Sequence, residues 1–323
     1  MTDDGKYAPL RRLMSRFGAQ GSAKAFYWAV NDAYHTAESA DYDRLHAGMI
    51  EALGPVWQRL ARHLPESPAK LAVLDVGCGT GLVGKLLNVL CPQRIGELTL
   101  LDPCQGMLDQ CQAKASSWPF ACRLVKGDIS AIDGAARYDV ITIDSTLHHI
   151  VDLAAFCRRV VDLLAAGGAL LTAQDPRAEA DTDRVYLRRA EGRKGLAGWL
   201  KRRLVTPVRD ALGLYPPDPP LAVATNRPLL EQGVVRRPMN IRSIYAVTDF
   251  HVPGLPGAWG EGLSVEKLRG WLGGLELVDQ FTYQYFGVTW SALSAQRKQE
   301  ERSLWEAGDA HGQLLGTAWR KRG

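Results

Sequence analysis

The stretch VLDVGCGTGLVG, residues 73–84, decides the fold class of this 323-residue chain. The apolar run around Asp75 is typical of a buried strand, and a helical pattern follows the glycines. Glycine is needed where the backbone takes angles that side chains forbid, and where it must come close to a ligand. The stretch therefore predicts a strand, a ligand-binding turn and a helix, with the turn built on Gly77, Gly79 and Gly81.

Short apolar runs alternate with helical patterns from this turn onward. The runs predict strands at 71–76, 97–101, 122–125, 138–143 and 169–173. Helical periodicity lies between them, at 81–90, 105–116 and 153–165. This alternation predicts βαβ units and a largely parallel sheet.

The composition and the predicted elements of the sequence change on both sides of this region. An arginine-, glycine- and proline-rich stretch follows it, far longer than an ordinary loop, and predicts an inserted cap over the active site. The end of the core is predicted to hold a helix and two strands, 276–285 and 288–295, and the charged tail a surface helix. The predicted segments are a helical N-terminal lid, the core, the cap, the end of the core and the tail, at 1–70, 71–176, 177–262, 263–296 and 297–323.

Composition narrows the class of protein. Hydrophobic residues make up 46% and charged residues 23%, enough for a sizeable core, and the net charge of +4 is too small to indicate nucleic-acid binding. No apolar stretch is long enough to span a bilayer, and the N-terminus lacks an apolar signal core. The six cysteines form no C-x-x-C pair, which predicts free thiols, a cytoplasmic location and no metal.

The stretch VLDVGCGTG resembles the first motif of class I S-adenosylmethionine-dependent methyltransferases. The resemblance covers 71–176 and returns over 265–295, where GVTWSALSAQ is similar to the family's final antiparallel strand. It implies a Rossmann-like three-layer α/β sandwich, with a mostly parallel seven-stranded sheet whose last strand is antiparallel. The N-terminal helices and the inserted cap are additions to that core.

The resemblance also implies where the cofactor binds. Asp102 would hold the ribose hydroxyls, Met107 would pack on the adenine, and Asp128 would contact the adenine amino group. Asp75 would face the amino group of the cofactor's methionine part. An NAD site is disfavoured because its loop usually reads G-x-G-x-x-G. The predicted cofactor residues are Asp75, Gly77, Cys78, Gly79, Gly81, Asp102, Pro103, Met107, Asp128, Ile129, Asp144 and Ser145.

Methyl transfer needs a general base only when the acceptor must lose a proton. The catalytic candidates follow the fourth strand: Asp144, His148 and His149. Structural roles for both histidines stay open, and so does a metal set formed with Asp144 and Asp152.

Residues on the lid and the cap are candidates for binding the acceptor. Basic residues of the cap would grip an anionic group, dock a carrier protein or membrane, or form a solvated face. The substrate-binding candidates are Tyr27, Trp28 and His35 on the lid and Tyr186, Tyr245 and His251 on the cap.

These features predict a methyltransferase that acts on a small molecule, a metabolite or natural product, by in-line transfer. Its cofactor would be S-adenosylmethionine and its product S-adenosylhomocysteine. One alternative keeps the cofactor but predicts a cyclisation or rearrangement, such as a displacement that releases methylthioadenosine. Another is a binding or assembly protein with a degenerate pocket. No nucleic-acid partner and no transmembrane segment are expected, and a homodimer stays open.

Overall fold

A computed structural model of the chain describes residues 5–67, 69–191, 219–252 and 262–323. Its centre is a seven-stranded sheet in the order β3-β2-β1-β4-β5-β7-β6. Strands β1 to β5 pair in parallel, and β7 is antiparallel to both of its neighbours, β5 and β6. The strands are β1 (Leu71–Val76), β2 (Ile95–Asp102), β3 (Ala121–Lys126), β4 (Tyr138–Asp144), β5 (Leu164–Pro176), β6 (Leu275–Tyr283) and β7 (Leu314–Lys321).

Helices cover both faces of the sheet, as the predicted sandwich requires. Because side chains alternate along a strand, Val73 points into one apolar layer and Leu74 into the other. The first layer includes residues of α4, α5 and α6, and the second residues of α7 and α11. The described helices are α1 (Arg11–Phe17), α2 (Ala23–Ser39), α3 (Tyr42–Leu45), α4 (Ala47–Leu60), α5 (Leu82–Leu90), α6 (Gln105–Ala115), α7 (Leu153–Leu163), α8 (Arg184–Glu191), α9 (Pro220–Glu231), α10 (Ile241–Thr248), α11 (Val265–Trp271) and α12 (Ala295–Glu306).

The last strand lies further along the chain than the sequence predicts. The segment 288–295 was predicted to be that strand, and this was wrong: Trp290–Ala292 is a 3-10 turn, and α12 begins at Ala295. The helix in the predicted tail is confirmed, but the core ends at β7, within that tail. The charged residues around Arg320 made this strand hard to recognise in the sequence. Its Trp319 is nevertheless completely buried, because β7 lies between β5 and β6 in the sheet.

Replacing Thr317 with valine tests the position of β7. The buried Thr317 hydroxyl pairs with Thr172 of β5 at 2.7 Å between oxygens and accepts the Trp319 indole N–H at 2.7 Å. Valine leaves both partners unpaired, so we expect the free energy of unfolding to fall by about 1–3 kcal/mol. Urea unfolding measures this. The matched control, Ser291→Ala, changes an exposed residue of the segment that was predicted to be the strand, and it should change stability by less than about 0.5 kcal/mol.

The N-terminal helices and part of the insert form one apolar unit. Residues of α1 and α2 share a buried cluster with residues of α9 and α10, including Phe26, Val30 and Ile244. Helix α8, by contrast, lies beside the start of β7, where the Tyr186 hydroxyl donates to the side-chain oxygen of Gln313 at 2.8 Å. Among the residues that the structure describes, no helix has both the length and the apolar character needed to cross a membrane.

Candidate functional site

A cavity of about 390 Å³ lies at the carboxyl ends of β1, β2 and β4. Its size is typical of small-molecule sites, and open α/β sheets bind ligands at these strand ends. The glycine turn after β1 forms one wall, and helix α2 of the lid forms the opposite wall. The cavity therefore lies between the core and the N-terminal segment that was predicted to be a lid.

The glycine turn brings the main chain to the cavity surface. Gly77 has φ +69°, and a Cβ there would lie 2.2 Å from the Thr146 hydroxyl oxygen, so no side chain fits. Gly79 has φ +52° and donates its N–H to Asp102 at 2.9 Å. Both positions require glycine because their backbones are left-handed, and Gly77 also because a side chain there would collide with Thr146.

Asp102 ends β2 and is held by the backbone. One carboxylate oxygen accepts the N–H of Gly79, and the other accepts the N–H of Cys104 at 2.8 Å. Burial raises the pKa of Asp102, although these two N–H groups oppose that effect. Each oxygen keeps a second lone pair, so the fixed carboxylate can accept two further hydrogen bonds from a diol.

Asp75 is buried beneath the cavity and has an unsatisfied oxygen. Its exposed fraction is 1%, and one oxygen accepts the Thr142 hydroxyl at 2.7 Å. The second oxygen has no hydrogen-bond partner among the described residues. Burial raises the pKa of Asp75 to about 7. A buried unpaired carboxylate oxygen indicates a missing donor, such as a bound water or a ligand ammonium group.

Asp144 lines the cavity from the end of β4. It accepts the indole N–H of Trp57 at 2.8 Å, a contact that bridges 87 residues of sequence. Burial raises its pKa well above the usual range, and the charges of Asp175 and Asp75 add to that effect. Trp57, which helical periodicity assigned only to the core, therefore holds a carboxylate that lines the cavity, although it does not line the cavity itself.

The two adjacent histidines have different surroundings. His148 does not line the cavity, and its Nδ1 pairs with Asp175 at 2.8 Å. His149 does line it, and its Nδ1 pairs with the carbonyl of Thr248 at 2.7 Å. Burial lowers the pKa of His149 well below 6.5, so the ring stays neutral. Because Nδ1 is the donor to that carbonyl, the other ring nitrogen, Nε2, is a proton acceptor.

The lid contributes aromatic and ionisable groups. Tyr27, Trp28 and His35 of α2 line the cavity, and the Tyr27 hydroxyl donates to the carbonyl of His149. His35 also bonds to Glu38, a buried carboxylate that sequence reasoning missed. Only the helical spacing of the two residues, one turn apart, signalled that contact.

The structure gathers most of the predicted cofactor residues and fewer of the predicted acceptor residues. Asp75 and Gly81 lie beside the cavity without lining it. Three cap candidates lie elsewhere: Tyr186 beside β7, Tyr245 against Tyr34, and His251 against the loop after β4, where its Nε2 pairs with the Ile150 carbonyl. The predicted residues that line the cavity are Gly77, Cys78, Gly79, Asp102, Pro103, Met107, Asp128, Ile129, Asp144, Ser145, His149, Tyr27, Trp28 and His35.

The basic face of the cap is only partly described. Arg189 forms a two-pronged salt bridge with Asp309 beside β7. The remaining arginines and lysines of the central insert, Arg193, Lys194, Lys201, Arg202, Arg203 and Arg209, lie outside the described residues.

One group of metal-ligating side chains occurs within the described ranges. Ligand atoms of His148, His149 and Asp249 lie within 4.8 Å of one another. The two acids that the sequence offered as further metal ligands have other partners: Asp144 accepts the Trp57 indole N–H, and Asp152 forms a salt bridge with Lys6. The group that forms thus differs from the one considered from the sequence.

Comparisons with known proteins find methyltransferases. Residues 73–168 match a family model described as a methyltransferase domain. Ubiquinone biosynthesis O-methyltransferase of Bradyrhizobium diazoefficiens is 30% identical over 31% of this chain and 38% of its own length. Malonyl-[acyl-carrier protein] O-methyltransferase of Acetivibrio thermocellus is 31% identical over 32% and 36%. The ubiquinone biosynthesis O-methyltransferase of Methylobacterium nodulans is 27% identical over 51% and 72%.

The chain spans less than half the length of the first two of these relatives. A solved S-adenosylmethionine-dependent methyltransferase from Clostridium acetobutylicum ATCC 824 is similar at 15% identity with a TM-score of 0.44, over 87% of this chain and 96% of that one.

Proposed function

We propose a function from one premise: the chain belongs to the class I S-adenosylmethionine-dependent methyltransferase superfamily, with its methyltransferase domain matched over residues 73–168. On this premise, the protein transfers a methyl group from S-adenosylmethionine to a hydroxyl oxygen of a small molecule. The observation that carries the proposal is the cavity between the glycine turn and α2, which has cofactor-type groups on one side and aromatic and histidine groups on the other. The names of the O-methyltransferases above support the oxygen acceptor.

The core side of the cavity suits the cofactor. The unpaired buried oxygen of Asp75 fits an ammonium group, and the fixed carboxylate of Asp102 fits the ribose diol. The turn at Gly77 lets main chain approach the ligand closely. The bound cofactor supplies a methyl group already activated by its sulfonium. Met107 and Asp128 line the part of the cavity that would take the adenine.

The lid side suits a planar apolar acceptor with a hydroxyl group. Tyr27 and Trp28 supply aromatic walls, and their rings contact each other at 5.2 Å between centroids. Neutral His149 accepts the hydroxyl proton at Nε2 as the oxygen attacks, and its bond to Thr248 fixes the ring. The lid excludes water and holds the acceptor in line, which is the main contribution required when the leaving group is already activated.

Replacing His149 with asparagine tests the base. We expect kcat for methyl transfer to fall by about 100- to 10,000-fold, because proton removal is lost, while affinity for S-adenosylmethionine stays within about threefold. The assay uses S-adenosylmethionine labelled in its methyl group and a panel of phenols and hydroxyquinones. Chromatography identifies the nucleoside product. Release of methylthioadenosine would instead support the non-methylating alternative, and no heat with either nucleoside in calorimetry would overturn the proposal.

Two further expectations stay proposals. All six cysteines are free thiols in the structure, which agrees with a reducing compartment, and we propose the cytoplasm. The second is the homodimer that the sequence left open, and light scattering would measure whether the protein is dimeric in solution.

A further inference from the structure

A buried carboxylate links the cavity to the protein surface. Glu38, on the lid helix α2, has an exposed fraction of 3%. One of its oxygens lies 3.0 Å from His35 Nδ1, and the other lies 3.4 Å from His46 Nε2. Burying a carboxylate costs free energy unless it is paired, and here both partners are histidines, the side chains best suited to carry protons near neutral pH.

The inner end of this link lies at the reaction site. His35 lines the cavity, and its ring meets that of His149 edge to face, with 5.4 Å between centroids. Because Nδ1 is bonded to Glu38, Nε2 remains for the cavity, and no described residue bonds to it. His35 is thus an ionisable neighbour of the proposed base, together with His148, whose ring centroid lies 4.0 Å from that of His149, and Asp249, 3.7 Å from its Nδ1.

The outer end reaches solvent. The side chain of His46 is 35% exposed and stacks on Tyr42 with 4.3 Å between ring centroids. It lies between α3 and α4, at the start of α4. A proton that reaches this ring can pass directly to water.

We propose that His35, Glu38 and His46 form a relay that carries the acceptor's proton from the cavity to the protein surface. This inference rests on the proposed function. The proton passes from His149 to Nε2 of His35. The Nδ1 proton of His35 then moves to Glu38, Glu38 protonates Nε2 of His46, and the opposite nitrogen of His46 releases a proton to water. Both rings are then left protonated at Nε2, so each must return to its Nδ1–H tautomer before the next turnover. Each step breaks one N–H or O–H bond and forms the next, so one proton leaves for each methyl transferred.

The relay would give this proton a defined path to the protein surface. A hydroxyl acceptor releases one proton per turnover, and His149, once it has taken up that proton, must release it before the next turnover. Burial lowers the pKa of His35, but the bond and charge of Glu38 outweigh it and raise that pKa above 6.5. His35 is therefore a better proton acceptor than His149. The other ionisable groups that act on the relay are Asp102 from β2, Asp249 and Tyr245 from the cap, and Tyr34 and Tyr42 from the lid.

Proton exchange at His35 tests the relay without needing the acceptor. The experiment follows the ring nitrogens of 15N-histidine-labelled protein by NMR, with S-adenosylhomocysteine as the bound probe. We expect His46→Phe to slow exchange of the His35 Nδ1 proton with water by at least about tenfold, because the exit is lost. Glu38→Gln should slow it too and lower the pKa of His35 by about one unit or more. The control, Glu51→Gln, changes an exposed carboxylate on α4 and should alter neither.

Unchanged exchange in His46→Phe would overturn the relay, since Glu38 and His35 would then form only a local pair. His46 is partly exposed, so this variant stays informative even if Glu38→Gln fails to fold. Turnover adds a second readout: Glu38→Gln should lower kcat without changing the KM for S-adenosylmethionine, and added imidazole should restore it. If the wild-type protein methylates nothing, the proposed function fails, while the exchange rates still decide whether the relay exists.

Discussion

Asp102→Ala should weaken binding of S-adenosylmethionine by at least about 100-fold. Hydrogen bonds to a charged group contribute about 1.5–3 kcal/mol each, so the loss of two ribose contacts costs about 3–6 kcal/mol. Alanine also frees the N–H of Gly79 and Cys104, which now fix the carboxylate at 2.9 and 2.8 Å. Isothermal calorimetry with S-adenosylmethionine and with S-adenosylhomocysteine measures both affinities.

The matched control for Asp102 is Asp109→Asn. Asp109 lies on the exposed side of α6, where it accepts a hydrogen bond from Gln105, so its variant should bind both nucleosides as the wild type does. A thermal unfolding scan without ligand separates lost contacts from a collapsed turn. Equal affinities in wild type and Asp102→Ala would show that the ribose binds elsewhere and would contradict the assigned cofactor site.

The features that the sequence predicted well are local ones. The turn after β1 was predictable because φ values above zero and close approach to Thr146 select glycine at Gly77 whatever the rest of the chain does. The position of Asp102 and Asp128 at the cavity was predictable because each stands at or just after the end of a parallel strand, and parallel strands end at one edge of a sheet. Such signals depend on a few neighbouring residues.

The features that sequence reasoning missed depend on long-range contacts. Asp144 meets Trp57 across 87 residues, and no local pattern distinguishes this tryptophan from other core residues. Strand β7 was hidden because burial by its two neighbours, rather than its own composition, makes Leu314–Lys321 a strand. The segment 288–295 had a strand-like composition, but Ser294 caps α12 there by accepting the N–H of Arg297 at 3.3 Å.

Asp75→Asn should stabilise the ligand-free protein at high pH while weakening cofactor binding. Burial raises the pKa of Asp75 from 3.8 to about 7, so the folded state holds this proton more tightly than the unfolded state does. The free energy of unfolding therefore falls as pH rises from about 4 to about 7, by at most about 4 kcal/mol for a shift of roughly three pKa units. Asparagine cannot ionise, so it removes this loss, although its unpaired amide N–H costs about 1–3 kcal/mol.

The two effects of Asp75→Asn follow from the same oxygen. Above pH 8, urea unfolding should show a net gain of about 1–3 kcal/mol over the wild type, and at pH 5 the gain should vanish or reverse. The affinity of the wild type for S-adenosylmethionine should rise between pH 5.5 and 7, because Asp75 ionises and can then pair with the ligand ammonium. The variant should bind at least about tenfold more weakly at pH 7, and its affinity should not rise over this pH range. Asp162→Asn, an exposed carboxylate on α7, is the control and should follow the wild type in both measurements. If the variant gains stability but keeps wild-type affinity, the unpaired oxygen is satisfied by water rather than by the cofactor. Only a direct ionic contact with the cofactor would link the free-energy cost of burying this carboxylate to the affinity for S-adenosylmethionine.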